Sequence, residues 1–260
     1  MYHAVAHAPA RAALDLSVTP EAFAEQMEVL DDGGYTPLTT AELAAAWRSG
    51  GPLPERPVLI TFDDGYEGVH RYSLPALAAH GFAATLFVST GWLRGPYDTG
   101  GGLDTMLDWD QTRRLAASGV EIGGHSHTHP QLDQLSDDRL WREITRCKQI
   151  VADELGAPPV SFAYPYGYSS RRVRRAVRGA GFRQSLAVGN ALAGRCQGPY
   201  ALARLTVRRS TGTEEFARMV AGRGVGLMFA RDRAATKGYA AVRRTRQAVK
   251  AVGKVRGSRV

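Results

Sequence analysis

Short apolar runs alternate with longer amphipathic stretches over the first 210 or so residues of the chain. The apolar runs carry no regular polar position, which is typical of strands buried in a parallel sheet. Seven such segments are predicted: YHAV, PVLITF, AATLFVS, VEIGG, VSFAY, RQSLAV and ARLTVRR. Strands that alternate with helices indicate βαβ units with right-handed crossovers. Seven of them favour an α/β fold of the distorted (β/α) barrel type over an open doubly wound sheet, although periodicity alone does not decide.

Capping residues mark where the helices between these strands begin. The stretch TPEAFAEQMEVLDDGG predicts a helix with Thr19 as N-cap, Pro20 at the first helical position and a glycine stop. A second helix begins with the capping box formed by Thr39 and Glu42. Further helices are predicted near residues 69–80, 109–118, 136–155, 170–180 and from about 213.

Length and charge divide the chain into two parts. A chain of 260 residues suits one domain of β/α barrel size, and 44% hydrophobic with 22% charged residues is ordinary for a globular protein. The net charge of +8 is uneven, because eleven Lys and Arg stand against one acidic residue, Asp232, from residue 221 onward. We expect a folded domain over residues 1–220 and a basic tail over 221–260 that is helical or partly disordered.

The tail raises the question of a partner. Its run AAVRRTRQAVKAVGKV mixes Val and Ala with cations, as a helix at a membrane surface does, while a solvated end stays open. No recognition motif accompanies the charge, so no nucleic-acid partner is expected. No run of about 20 apolar residues and no signal-peptide pattern is seen. We therefore expect a cytoplasmic location, peripheral at the inner membrane face, and the oligomeric state stays open.

The first two candidate sites follow predicted strands, whose carboxyl ends bind ligands in β/α folds. TFDDGY places Asp63 and Asp64 directly after an apolar run. Adjacent side chains of a strand point to opposite faces, so one carboxylate can bind a metal while the other acts as a base. GGHSHTHP places His125, His127 and His129 at alternating positions. An extended chain turns all three one way, whereas a helical turn, which we prefer, places only His125 and His129 on one face.

A third candidate site and the first two together indicate hydrolysis. The turn FAYPYG, residues 162–167, can direct backbone N–H groups into a cavity, as an oxyanion requires. Two imidazoles and a carboxylate leave coordination positions open, the arrangement of a catalytic metal site that activates water. Plain turns and a polar surface loop are the structural alternatives. A non-haem iron enzyme with the same triad, or a non-catalytic carbohydrate-binding or membrane-docking protein, are the functional ones.

TFDDGY, the H-S-x-x-H-P pattern and the x-x-P-Y-G turn, in that order, resemble the polysaccharide deacetylases of carbohydrate esterase family four. MYHAV, TPEAFAEQMEVLDDGGYTPLT and PALAAHGFAATLFVSTGWL are similar to the branch that includes bacterial poly-N-acetylglucosamine deacetylases. The resemblance covers about residues 1–220. It implies a metal-dependent N-deacetylase that releases acetate from an N-acetylhexosamine-containing glycan or glycan precursor. The implied cofactor is a divalent ion, zinc first, with other divalent ions left open.

The resemblance also implies roles for particular residues. Asp64, His125 and His129 would hold the metal, Asp63 would be the general base, and the backbone N–H of Tyr166 would help to hold the oxyanion. Many family members supply the general acid as a histidine in a late strand, but ARLTVRR contains none. In the poly-N-acetylglucosamine branch an N-terminal Y-H pair takes that place. The pair here is Tyr2-His3, so His3 is assigned as the general acid.

Two expectations concern the surroundings of the site. Ala163 stands where the family often has an arginine, two residues before the proline of the turn, so no cation is predicted to orient Asp63. Trp109, in LDWDQ, is a candidate platform for stacking on a sugar, with packing inside the protein as the alternative. Tyr164 and Pro165 are assigned to the substrate-binding surface.

Overall fold

The computed structural model of the protein describes residues 1–236, 238–240, 242–243 and 245. The helices are α1 (Pro20–Asp32), α2 (Thr40–Ser49), α3 (Leu74–Ala79), α4 (Trp109–Ala117), α5 (Asp137–Leu155), α6 (Arg171–Gly179), α7 (Thr213–Val220) and α8 (Val225–Met228). The strands are β1 (Thr36–Pro37), β2 (Pro57–Val58), β3 (Thr61–Phe62), β4 (Thr85–Val88), β5 (Glu121–Gly124), β6 (Ser161–Ala163) and β7 (Gln184–Leu186). Short 3-10 turns follow β5 and β6, at Leu132–Gln134 and Pro165–Gly167.

A curled sheet of five parallel strands, in the order β3-β4-β5-β6-β7, forms the centre of the fold. Parallel bridges from Tyr2 to Phe62 and from Leu186 to Leu202 add one segment at each edge. These two segments meet, because the main-chain nitrogen of Met1 donates to the carbonyl of Leu205 at 2.9 Å and Met1 accepts from the amide of Val207 at 3.0 Å. The predicted distorted barrel is therefore confirmed, with five parallel strands in its sheet and two bridged segments in place of the other two expected strands.

Three of the predicted strands differ in detail. YHAV and ARLTVRR contribute isolated bridges and main-chain bonds to the ring where full strands were expected. PVLITF divides into β2 and β3, and β2 leaves the barrel to pair with β1 in the register Thr36↔Pro57. Strand β1 was not predicted, because two residues with one proline carry no readable period.

The helices begin where the caps predicted and turn their apolar sides to the sheet. The Thr19 side chain accepts from the amide of Ala22 at the start of α1, and the capping box of Thr39 and Glu42 starts α2. Close packing of neighbouring strands depends on Gly123, since a Cβ there would lie 2.5 Å from the Phe87 ring. Strand β5 thereby lies deep in the core. Its position fixes the start of the segment that follows it, residues 125–130, which we call the histidine loop.

Part of the basic tail belongs to this core. Val225 and Phe229 are buried in the main hydrophobic cluster, and residues 230–236 are helical. The run AAVRRTRQAVKAVGKV lies mostly outside the described residues. Within the part of the chain that the structure describes, no helix has the length and apolar character to cross a bilayer.

Candidate active site

Strained backbone concentrates at the carboxyl ends of the barrel strands. Non-glycine residues rarely adopt positive φ, and those that do tend to mark functional sites. The described residues with this conformation are Asp64, Ser126, His129, Tyr166 and Asn190. The first four come from the three motifs singled out in the sequence, so β3, β5 and β6 each deliver strained residues to one end of the barrel.

Asp64, His125 and His129 converge on one buried point. The Oδ1 atom of Asp64 lies 3.4 Å from Nε2 of His125 and 3.3 Å from Nε2 of His129. The possible ligand atoms of the three residues all lie within 4.8 Å of one another. Ligands held at about 2.0–2.1 Å in a tetrahedral arrangement stand roughly 3.3 Å apart. The three side chains therefore fit a divalent cation such as zinc better than they fit short mutual hydrogen bonds.

Local contacts orient both imidazoles. Nδ1 of His125 donates to the carbonyl of Ala163 at 2.8 Å, which leaves Nε2 with a free lone pair toward Asp64. The ring of His129 lies between the rings of Trp92 and Tyr166, with centroids at 4.5 and 4.7 Å. Each ring is thus held by partners from other segments of the chain.

The remaining residues of the histidine loop have other partners. The amide of His129 donates to Oγ of Ser126 at 3.1 Å, which closes the turn between them. Nδ1 of His127 lies 3.0 Å from Oγ1 of Thr90, and the amide of His127 donates to Glu143. His127 therefore stands apart from the other two histidines. The segment does not form the expected helical turn, because Ser126 and His129 have positive φ and the residues between them form a bend.

A buried arginine that the sequence did not indicate binds Asp63. Arg204 Nη1 and Nη2 donate to the two carboxylate oxygens of Asp63 at 2.6 and 2.7 Å. Burial by itself raises the pKa of this carboxyl, but the attraction of Arg204 and His125 outweighs burial and lowers the pKa below its ordinary value. The expectation that no cation orients Asp63 was wrong. Arg204 lies in ARLTVRR, and a charged residue inside a predicted buried segment was the available signal.

His3 lies beside the two carboxylates. Burial lowers the pKa of its imidazole, while the charges of Asp64 and Asp63 act in the opposite direction. Its Nδ1 atom is buried and has no hydrogen-bond partner among the described residues. Burial thus favours the neutral form of this imidazole, next to the groups that the resemblance assigned as metal ligand and base.

The turn after β6 presents Tyr166 and buries its neighbours. The Tyr166 side chain is 51% exposed, and its φ of 59° turns the chain sharply toward His129. The hydroxyl of Tyr164 instead lies within hydrogen-bond distance of Oγ of Ser185, at 2.6 Å, inside the core. The assignment of Tyr164 and Pro165 to the substrate-binding surface is therefore not supported, because both are buried. Tyr166 is the ring of this turn that faces solvent.

Trp109 is also placed differently from the expectation. It is the first residue of α4 and is only 4% exposed. Its ring meets the edge of Tyr97 at 6.0 Å and packs into the main core. A buried indole has no free face for a sugar, so the packing alternative describes Trp109 in this structure.

Residues 50–185, more than half of the chain, match the family described as Polysaccharide deacetylase. The protein YxkH of Bacillus subtilis (strain 168) is 27% identical over 207 residues, which cover 80% of this chain and 70% of that protein. The poly-beta-1,6-N-acetyl-D-glucosamine N-deacetylase of Escherichia coli (strain K12) is 34% identical over 119 residues, 43% of this chain and 18% of that protein.

Solved structures share the fold. The Streptococcus pyogenes deacetylase PplD, determined in complex with acetate, superposes with a TM-score of 0.75 at 23% identity, over 85% of this chain and 96% of that one. The strand-end motifs, the curled parallel sheet and these matches agree with the resemblance drawn from the sequence. The chain belongs to the polysaccharide deacetylase family, carbohydrate esterase family four.

Proposed function

We propose that the protein is a metal-dependent hydrolase that removes N-acetyl groups from an N-acetylhexosamine-containing glycan or glycan precursor. One observation carries the proposal. Asp64, His125 and His129 place three ligand atoms within 4.8 Å of one another, beside a second buried carboxylate, Asp63, that Arg204 holds separately. A ligand set with an independent base next to it suits amide hydrolysis.

The proposed ion is zinc, held by Asp64, His125 and His129, with other divalent cations as alternatives. When bound, such an ion supplies a Lewis acid for the amide carbonyl and activates water at neutral pH. The protein's own part is to hold the ligands in place. The Ala163 carbonyl fixes the tautomer of His125, and Trp92 and Tyr166 fix the ring of His129.

Asp63 is proposed as the general base. Its lowered pKa keeps the carboxylate ionised at neutral pH, because Arg204 compensates the charge that burial would otherwise disfavour. Each carboxylate oxygen accepts one hydrogen bond from Arg204 and retains capacity for a second. One oxygen can therefore accept a proton from the attacking water while the guanidinium keeps the carboxylate in place.

His3 and Tyr166 complete the proposed site. Burial favours the neutral imidazole of His3, so we propose that His3 receives the proton that Asp63 removes from water and delivers it to the departing nitrogen, which restores both side chains. The backbone N–H of Tyr166 is proposed as an oxyanion donor, and its half-exposed ring as a sugar contact. The ion pair of Asp63 with Arg204 argues against a non-haem iron oxygenase, since that chemistry needs no such base.

The substrate class and the location are proposals as well. The name of the E. coli relative points to a polymer of N-acetylglucosamine, which supports an N-acetylhexosamine substrate. We propose a catalytic domain over residues 1–220, into whose core Val225 and Phe229 of the tail pack. We also propose that the basic tail over residues 221–260 holds the protein at the inner membrane face of the cytoplasm.

The direct test is release of acetate from a panel of N-acetylated oligosaccharides and lipid-linked sugars, with and without a chelator. We expect release from at least one N-acetylhexosamine substrate, loss of release with the chelator, and recovery when a divalent ion is added back. Full activity after exhaustive chelation would remove the metal from the proposal. No release from any member of the panel, by protein loaded with zinc, would contradict the deacetylase function.

A further inference from the structure

The described end of the basic tail returns to the loops of the candidate site. Asp232 of the tail forms an ion pair with Arg208 at 2.8 Å. Arg208 directly follows the segment that closes the barrel. Eleven residues after Asp232, Arg243 lies against the loops that follow β5 and β6. The tail thus reaches the end of the barrel where the candidate site opens.

Arg243 makes three contacts there. Its Nε atom lies 2.9 Å from Oδ2 of Asp133, and each of the two side chains is only 11% exposed. Its guanidinium carbon lies 3.3 Å from the centroid of the Tyr168 ring. Its main-chain carbonyl accepts a hydrogen bond from Nε2 of Gln134 at 3.4 Å. Cation–π contacts and ion pairs both strengthen when water is excluded, so these contacts favour this position of the side chain, although Nη1 of Arg243 and Oδ1 of Asp133 are buried without a partner among the described residues.

These partners belong to the two loops that carry the candidate site. Asp133 and Gln134 lie in the short turn that follows the histidine loop. Tyr168 directly follows the turn that contains Tyr166, and the two tyrosine rings stack with centroids 5.7 Å apart. Tyr166 in turn contacts the ring of His129 at 4.7 Å. One tail residue therefore joins both loops from the outside.

We propose that Arg243 is a positioning residue that fixes the turn Pro165–Gly167 against the histidine loop; this inference rests on the proposed function. Tyr166 has a positive φ, which persists in a non-glycine residue only where its surroundings impose it. Loss of Arg243 removes the cation beneath Tyr168 and leaves the Asp133 carboxylate buried without its partner. Both loops then loosen, and the amide of Tyr166 loses its fixed direction.

The test compares Arg243→Ala, Arg243→Lys and Arg231→Ala in the full chain. Arg231 is the matched control, because it is an exposed tail arginine with no ion pair to any described residue. We expect Arg243→Ala to lower kcat for acetate release about tenfold while changing KM less, because the oxyanion donor acts mainly in the transition state. Arg243→Lys should recover part of the rate, since lysine keeps the charge but not the planar stacking group. Arg231→Ala should match wild type.

A second readout separates positioning from general stability and from the proposed function. Hydrogen exchange should speed up in Arg243→Ala at residues 131–135 and 165–169, while the β4 and β5 amides stay protected. If the exchange rates of both loops in Arg243→Ala equal those of wild type, the proposal is overturned, whether or not the protein releases acetate. Exchange that rises throughout the barrel also overturns it, because the role would then be structural only. If wild type releases no acetate, the deacetylase function fails, and faster exchange confined to the loops still supports the linkage.

Discussion

The guanidinium of Arg204 binds both carboxylate oxygens of Asp63, with Nη1–Oδ1 at 2.6 Å and Nη2–Oδ2 at 2.7 Å. The two side chains are 5% and 3% exposed, so water does not screen the pair. Arg204 Nη1 also lies 3.3 Å from Oγ1 of Thr61 in β3. The carboxylate proposed as base is therefore held by a residue of the segment that completes the barrel.

Replacing Arg204 tests this relationship. Arg204→Met leaves the charge of Asp63 buried and unpaired, so we expect a loss of about 3–5 kcal/mol in the free energy of unfolding. Arg204→Lys keeps a cation but not the two-point contact, so a smaller loss of stability and a clear loss of acetate release are expected. Urea unfolding and initial rates measure the two effects. A lysine variant equal to wild type in both would show that the two-point contact has no role.

Removal of the proposed base is tested with Asp63→Asn. Asparagine is nearly isosteric but cannot take a proton from water, so acetate release should fall by roughly 10²–10⁴-fold. The matched control is Asp32→Asn, an exposed aspartate at the end of α1, which should keep the wild-type rate. Circular dichroism of both variants checks that the fold is retained. Equal rates in Asp63→Asn and wild type would exclude Asp63 as the base.

The histidine loop offers an internal comparison for metal binding. His129→Ala removes one of the three converging ligand atoms, so the content of bound divalent ion after dialysis should fall well below one per chain. His127→Ala, two residues earlier, changes a side chain that contacts Thr90 and should retain the ion. Elemental analysis of both variants measures the number of bound metal ions per chain. Equal metal loss in the two variants would favour the extended geometry in which all three histidines face one way.

The role of His3 as general acid is tested with His3→Gln. Glutamine keeps a polar side chain of similar reach but cannot gain and deliver a proton, so kcat should fall by about 10² or more. His70→Gln is the control, because His70 lies on the helical turn before α3. Substrates with a better leaving group should lose less rate in His3→Gln than the natural amide. A uniform loss for all substrates would indicate a structural role instead.

Trp109 should matter for stability and not for substrate affinity. It is buried in the main core, so Trp109→Ala should cost about 3–5 kcal/mol of unfolding free energy. The KM of the folded fraction should remain that of wild type. A large rise in KM without loss of stability would restore the sugar-stacking role that the sequence suggested.

Local sequence signals predicted the parts of the fold that depend on neighbouring residues. Helix caps such as Thr19 and Thr39 act within one turn, so the pattern alone identifies them. The two aspartates and the spaced histidines follow buried strands, and parallel topology brings the carboxyl ends of such strands together. That rule was sufficient to expect the aspartates and the histidines at one place, and the family resemblance then indicated Asp64, His125 and His129 as the ligands.

The sequence pattern did not predict contacts between residues that are far apart in the chain. Arg204 is 141 residues from Asp63, and its role depends on which edge segments meet when the sheet curls. The burial of Tyr164 depends on Ser185 and Tyr200, which complete its hydrogen bonds inside the core. Trp109 has an amphipathic side chain that suits a groove or a core equally well, and only tertiary packing decides between them.

The junction of residue 1 with residues 205 and 207 has a consequence for how the molecule assembles. Its hydrogen bond from Met1 to Leu205 joins points 204 residues apart, and contacts of such long sequence separation form slowly because chain-closure entropy opposes them. His3 and Arg204 lie next to this junction in the chain, so both come close to Asp63 only when the junction forms. A nascent chain that has folded its first four sheet strands thus still lacks the contact of Arg204 with Asp63, and we expect the proposed reaction centre to be completed late in folding.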